Sequence, residues 1–328
     1  MSEAEQLAKK GHQVVVYEEW PKPGGLLYYG IPNFKLDKDL VEAKITEMKE
    51  IGIKFICNTR VGRDVQVDDL LDENDAVFLG IGVPVGHRIK LPGEDLEGIY
   101  QATEFLVRGN LPDGDLPDNL KGLPEIGENV VVIGGGDTSI DCVRTARRLQ
   151  VQNGISNGSV VLYYRGTEKE MRARELDVKH AKEEGVHIEL LASPVRFIGD
   201  KDGKVSQVEM QRMMSKPSHQ PEQRTPHHLR IPIEGSNFLV NADTVVLAIG
   251  YMGDQLIPSK TPELETTKPG IFKVKSEQTG VATMGGVFAA GDDVRGADLV
   301  VTATAAGRKA ASAMDAYLRD LPEKSAKS

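Results

Sequence analysis

The chain has 328 residues, 40% hydrophobic and 27% charged, with 40 basic against 49 acidic side chains and a formal net charge of -9. Such a composition suits a protein with room for two packed domains, and its acidic balance offers no basic field for nucleic acid or an anionic membrane. No apolar run reaches the ~18 residues that span a bilayer, and the polar stretch 1–10 has no signal-peptide core, so the expected location is cytoplasmic.

In chain order, residues 2–11 (SEAEQLAKKG) read as the back half of a helix. The β-branched strand 13–18 (QVVVYE) follows and ends on Glu18, where a Rossmann unit holds a ribose. The glycine fingerprint of such a unit stands about 20 residues before that acid, which here falls ahead of Met1. The expectation is a first dinucleotide unit lacking its pyrophosphate loop and central strand, with exposed sheet edges that invite homo-oligomers. A helix at 38–51, a strand at 54–56 and a strand at 76–79 continue the α/β grammar.

A short helix at 101–108 leads into the turn-rich linker 109–128. The pattern then restarts: strand 130–133, helix 138–149, strand 160–164, helix 175–184 and strand 187–191. Residues 195–240 read as a meander of strands, interrupted by a polar insertion at 215–228 that carries His219, His227 and His228. Flanking prolines and the lack of a second ligand cluster favour a solvated loop over a metal site. Residues 242–250 (ADTVVLAIG) repeat the shape of 75–82 (DAVFLGIG), whose turn ends at Gly82. The expected organisation is therefore α/β with two Rossmann-like dinucleotide-binding domains, the second inserted in the first. The first occupies 1–108 and 253–328, and the second 129–252.

The strongest local signal is VVVIGGGDTSIDCVRTARRL, in which Gly134 and Gly136 fill the first two fingerprint positions and Ser139 the third, between a strand and a helix. Gly134 permits the tight turn, and Gly136 lets backbone N–H groups approach a pyrophosphate at a helix N-terminus. The next strand ends at Tyr164 and is followed by Arg165, where an NAD site carries an acid. An arginine there pairs a 2'-phosphate in a forked geometry, which favours NADPH, with Arg172 and Arg174 nearby in sequence. A third signal is the segment 285–308, where a strand delivers Gly291 and Asp292 to a helix of small residues that allows close approach of a flat ligand. Cys57 and Cys142 have no CxxC partner, which speaks against a redox dithiol and against a disulfide reductase.

The runs PKPGGLLYYGIPNFKLDKDLV, LPGED, IGGGDTSIDCVRTA and GVFAAGDDVRGADLVVTATAAGRKAA occur in that order, and with them nearly the whole chain resembles the small subunit of NADPH-dependent glutamate synthase. Its relatives include the amino-terminal half of dihydropyrimidine dehydrogenase. The resemblance implies a flavoprotein in which NADPH passes hydride to FAD and electrons leave to an electron-accepting partner subunit or iron-sulfur protein. It implies that Glu18 holds the FAD ribose, that Gly25, Leu26 and Gly30 line the flavin, and that Val61 meets adenine. Gly291, Asp292, Val300 and Val301 cradle the ribityl and isoalloxazine portions, and Gly135, Gly136, Asp137, Thr138 and Arg165 bind NADPH. The chain departs from the family in lacking the cysteine-rich extension, in carrying Gly166 where the family has a basic residue, and in carrying Arg172 where proline is common. The alternative expectation is an NADP(H)-binding module without FAD or turnover.

Overall fold

The computed structural model describes residues 1–217 and 228–322, so His219 and His227 of the polar insertion lie outside the described residues. The elements run α1 (Ser2–Lys9), β1 (Val15–Tyr17), α2 (Gly25–Tyr29), α3 (Lys38–Glu50), β2 (Lys54–Ile56), α4 (Val67–Glu73), β3 (Val77–Leu79) and β4 (Val85–Gly86). Then come β5 (Ile99–Gln101), α5 (Ala102–Asn110), β6 (Asn129–Gly134), α6 (Asp137–Gln152), β7 (Ser159–Tyr164), α7 (Glu175–Glu183) and β8 (His187–Leu190). The chain continues through β9 (Ala192–Gly199), β10 (Val205–Pro217), β11 (His228–Asn241), β12 (Thr244–Ala248) and β13 (Tyr251–Met252). Last are α8 (Leu256–Lys260), β14 (Thr266–Lys268), β15 (Ile271–Phe272), β16 (Val287–Ala289), α9 (Asp292–Arg295) and α10 (Val300–Asp320).

These elements form two compact units: Met1–Tyr28, Leu36–Val85 and Tyr251–Ser328 make the first, and Tyr29–Lys35 with Gly86–Gly250 the second. The sequence pattern divides 86–128 between the first domain and a linker. Residues 86–128 belong to the second unit. Two physical reasons are visible: β5 adds to the second unit's sheet beside β12, and Phe105 of α5 is fully buried in a core with Val143 and Leu149.

The sheet of the second unit is parallel with order β5-β12-β6-β7-β8. Its central strand β6 (NVVVIG) shows why an unbroken apolar run marks such a position. Val130 and Val132 enter one core while Val131 and Ile133 enter another, so both faces are covered. On α6, Ile140, Val143, Ala146 and Leu149 recur at helical spacing and are all buried, each large one contributing roughly 1.5–3 kcal/mol. The antiparallel sheet β11-β10-β9 corresponds to the expected meander. The LPGED motif has a structural task in this unit. Phe197 of β9 donates its N–H to Pro92 O at 2.9 Å, and a Cβ on Gly93 would stand 2.3 Å from Phe197 O.

The segment Tyr29–Lys35 is fixed within the second unit by charge. The Phe34 ring lies under the guanidinium groups of Arg144 at 4.4 Å and Arg148 at 3.9 Å. Lys35 Nζ stands 2.5 Å from Asp141 and 3.1 Å from Asp177.

In the first unit β1 pairs with β2 and β3 with β16, both in parallel, and β14 pairs with β15 in antiparallel fashion. Helix α1 packs on α10 through Leu7, Ala311 and Met314, and Gly307 lets the two backbones approach: a Cβ there would meet Ser2 Oγ at 2.6 Å.

Candidate nucleotide and flavin sites

The glycine turn between β6 and α6 divides its labour by position. A Cβ on Gly134 would stand 2.5 Å from Ala248 O on the neighbouring strand, so this residue must be small for the sheet itself. At Gly135 a Cβ would meet the Tyr164 ring at 2.3 Å. Nothing lies within 4 Å of the corresponding point on Gly136, whose backbone is extended (φ -106, ψ 178) and caps α6. The turn therefore leaves an open face at the N-terminus of a 16-residue helix, where unpaired N–H groups and the helix dipole favour an anion. Ser139, in the third fingerprint position, donates its hydroxyl to Gly136 O at 2.6 Å and holds the turn closed.

The loop after β7 is stitched to the same turn. Arg172 and Ala173 donate their backbone N–H groups to Gly135 O at 2.9 and 3.1 Å, and Arg174 N donates to Asp137 Oδ1 at 3.0 Å. Asp137, the first residue of α6, thus positions the arginine loop, and Thr138 follows it in the first turn. Arg165 and Arg172 are exposed, and neither guanidinium makes an ion pair among the described residues. The structure brings Gly134, Gly135, Gly136, Asp137, Arg172 and the end of β7 at Tyr164 into one locus; Arg165 follows Tyr164 directly.

Of the residues expected to meet a flavin, Gly30 belongs to the second unit and the others to the first. At the end of β1, Glu18 accepts the Trp20 N–H at 3.1 Å, and Thr59 donates its N–H to the Glu18 carbonyl at 2.9 Å. Burial raises the Glu18 carboxyl above its ordinary value, partly offset by the Trp20 N–H. Gly25 opens α2 with φ +52, Leu26 is exposed, and Val61 packs with Tyr17 and Leu79.

A second group forms where β3 and β16 end. Asp293 Oδ2 accepts the Ile81 N–H at 3.2 Å, next to Gly82, while its Oδ1 is buried with no hydrogen bond among the described residues. Burial pushes the Asp293 carboxyl well up. Gly291 (φ +96) lies 3.6 Å, from its Cβ position, to Ala303 on the first turn of α10. Asp292, the residue the sequence pattern points to, is half-buried with a carboxyl raised by burial, whereas its neighbour Asp293 is fully buried. Two adjacent aspartates look alike in sequence, and only the alternation of burial in a short helix separates them.

These residues fit a flavin in chemical character. Ile81, Leu299, Val300 and Val301 are exposed apolar side chains on the segments that bear Gly82, Asp293 and Ala303, as a flat aromatic ligand requires. Cys57 is half-buried and Cys142 fully buried in the α6 core, where burial raises its thiol.

Two units built on parallel strands, one with a glycine turn opening a helix, define a dinucleotide-binding oxidoreductase fold. The family model described as pyridine nucleotide-disulphide oxidoreductase matches residues 1–307, and the chain belongs to that family. It is similar to the putative oxidoreductase AegA of Escherichia coli, 39% identical over 96% of this chain and 47% of that protein. It is equally similar to the glutamate synthase [NADPH] small chain of Azospirillum brasilense, 39% identical over 97% of this chain and 64% of that one. The chain thus spans about half to two thirds of the length of these relatives. Among solved structures, FprA of Mycobacterium tuberculosis in complex with NADPH superposes with a TM-score of 0.76 at 19% identity, over 97% of this chain and 82% of that one. Among the described residues no helix is long and apolar enough to cross a membrane.

Proposed function

We propose that the chain is an NADPH-dependent flavin oxidoreductase of the glutamate synthase small-chain kind, which takes hydride from NADPH and delivers electrons to a partner subunit or iron-sulfur acceptor in the cytoplasm. The observation that carries this reading is the open backbone of Gly136 with the arginine loop bonded to Gly135 O beside it. On this reading the α6 N-terminus receives the NADPH pyrophosphate, and Arg165 and Arg172 face the 2'-phosphate. Glu18 accepts from ribose hydroxyls of FAD, and Gly25, Leu26 and Val61 line that cofactor. Gly82, Gly291 and the start of α10 at Val300 and Val301 support its ring system, with Asp292 or its neighbour Asp293 towards the ribityl chain. FAD, when bound, supplies the two-electron acceptance and onward one-electron release that no side chain of this protein provides.

The test is the visible spectrum of the purified protein after incubation with FAD and desalting, followed by anaerobic addition of NADPH or NADH. A retained flavin spectrum that bleaches with NADPH is expected. In Arg165→Ala the bleaching requires about tenfold more NADPH with NADH little changed, since a charge-assisted bond to phosphate is lost; equal loss with both nucleotides refutes the role given to Arg165. The alternative is an NADP(H)-binding module without FAD. Failure to retain flavin together with intact nucleotide binding selects it.

A further inference from the structure

We infer that Arg230, supplied by β11, is a specificity-determining residue for the 2'-phosphate of the nucleotide, standing in for the side chain that Gly166 lacks. The inference deepens the NADPH reading of the second unit and rests on it. Gly166 follows Arg165 at the end of β7, and a Cβ placed on it would stand 3.2 Å from Arg230 Nε, 3.1 Å from Glu170 Oε2 and 2.9 Å from Tyr164 Cε1. The space beside Arg165 is therefore occupied by a cation from a strand remote in sequence.

That cation is held in place yet has donors to spare. Arg230 Nη2 donates to Tyr164 Oη at 3.2 Å and lies 3.6 Å from Glu170 Oε1, while its Nε is buried against Gly166 without a hydrogen bond among the described residues. Its side chain is 26% exposed, so part of the guanidinium fork reaches solvent. Tyr164 in turn donates to Glu170 O at 2.8 Å and lays its ring against Gly135 of the pyrophosphate turn. Ser215, the cross-strand partner of Arg230, and Thr167 both donate to Glu170 Oε2, at 3.0 and 2.8 Å. Glu170 is thus committed to the loop and engages Arg230 at the longer distance. A guanidinium with five donors in a fixed plane, anchored through Tyr164 to the glycine turn, has the chemistry to fork onto a dianionic phosphate. The competing reading makes Arg230 only a bolt that fastens Glu170 to β11.

The experiment is isothermal titration calorimetry of the whole protein with adenosine 2',5'-bisphosphate and with AMP, which differ only in the 2'-phosphate. In Arg230→Ala the bisphosphate should weaken about tenfold or more while AMP stays within about twofold, the loss expected for one charge-assisted contact. Equal weakening of both ligands, or no weakening of either, overturns the assignment and leaves the NADPH reading standing. Wild-type protein that does not prefer the bisphosphate overturns the NADPH reading as well. Should the alanine variant unfold, Arg230→Gln keeps an amide for Tyr164 and carries the same comparison: the bisphosphate preference must fall for the inference to hold.

Discussion

Replacing Lys35 by methionine isolates one buried charge whose cost the structure allows to be worked out. Lys35 bridges two carboxylates, at 2.5 Å to Asp141 and 3.1 Å to Asp177, and the three side chains are only 12–14% exposed. Their environments differ. Burial raises the Asp177 carboxyl, but Lys35, Arg174 and Arg144 together bring it below its ordinary value. Asp141 has Lys35 as its cation, and burial nevertheless pushes it up to about 6. In Lys35→Met, Asp177 keeps Arg174 at 2.8 Å while Asp141 is left buried and unpaired. Removing one partner of such a pair costs about 3–5 kcal/mol where the carboxylate is ionised. The sign with pH follows from the raised value. The folded protein holds the Asp141 proton more tightly than the unfolded chain, so this group lowers stability as pH climbs from 3.8 through 6. Without Lys35 the decline extends to higher pH. Urea unfolding followed by far-ultraviolet circular dichroism at pH 8 and pH 5 reads this directly. The loss should be several kcal/mol at pH 8 and clearly smaller at pH 5, and Lys35→Met with Asp141→Asn should recover most of it. A loss larger at pH 5, or a double variant no better than the single, refutes the argument.

The two flanking glycines of the turn should separate fold from function. Gly134→Ala drives a Cβ into Ala248 O and is expected to cost more than about 2 kcal/mol of stability through strain. Gly136→Ala meets open space at an ordinary φ and should change stability by less than about 1 kcal/mol, while weakening AMP binding by calorimetry. The reverse ranking would overturn the division of labour. Glu184 is raised by burial, but hydrogen bonds from Arg148 and Arg144 outweigh this and hold it at about 2. Its contribution is therefore present above pH 4.5 and lost as pH falls towards 2, so Glu184→Gln should flatten the acid limb of the unfolding midpoint; an unchanged acid limb argues against the clamp.

How much of this was legible in sequence depended on how local the cause is. Strand β6 and helix α6 were readable because their apolar periodicity, glycine turn and burial all lie within some 25 residues. The short strand β5 was not, since only its pairing with β12, far along the chain, makes Ile99–Gln101 a strand. Its prolines and glycines made 109–128 read as a linker, yet Leu111 and Leu116 within it are buried. Helix α4 was missed although Gln66 and Asp69 form a capping box ahead of it, a signal that could have found it. Arg230 could not be assigned to the nucleotide locus, because nothing in the order of residues says that β11 returns beside the end of β7. Gly166, by contrast, was visible as a missing side chain.

The discontinuity of the first unit has a consequence for how the molecule is made. Strand β3 finds its partner only when Val287 has been synthesised, with the greater part of the second unit lying between them in the chain. The parallel sheet β5-β12-β6-β7-β8 is complete at Ala248, so during translation it can close while β3 still waits with an open edge. Contacts of such long sequence separation make slow steps. The vulnerable nascent species is therefore a finished second unit carrying an unfinished first, and the helix α10 that seals α1 arrives only after it.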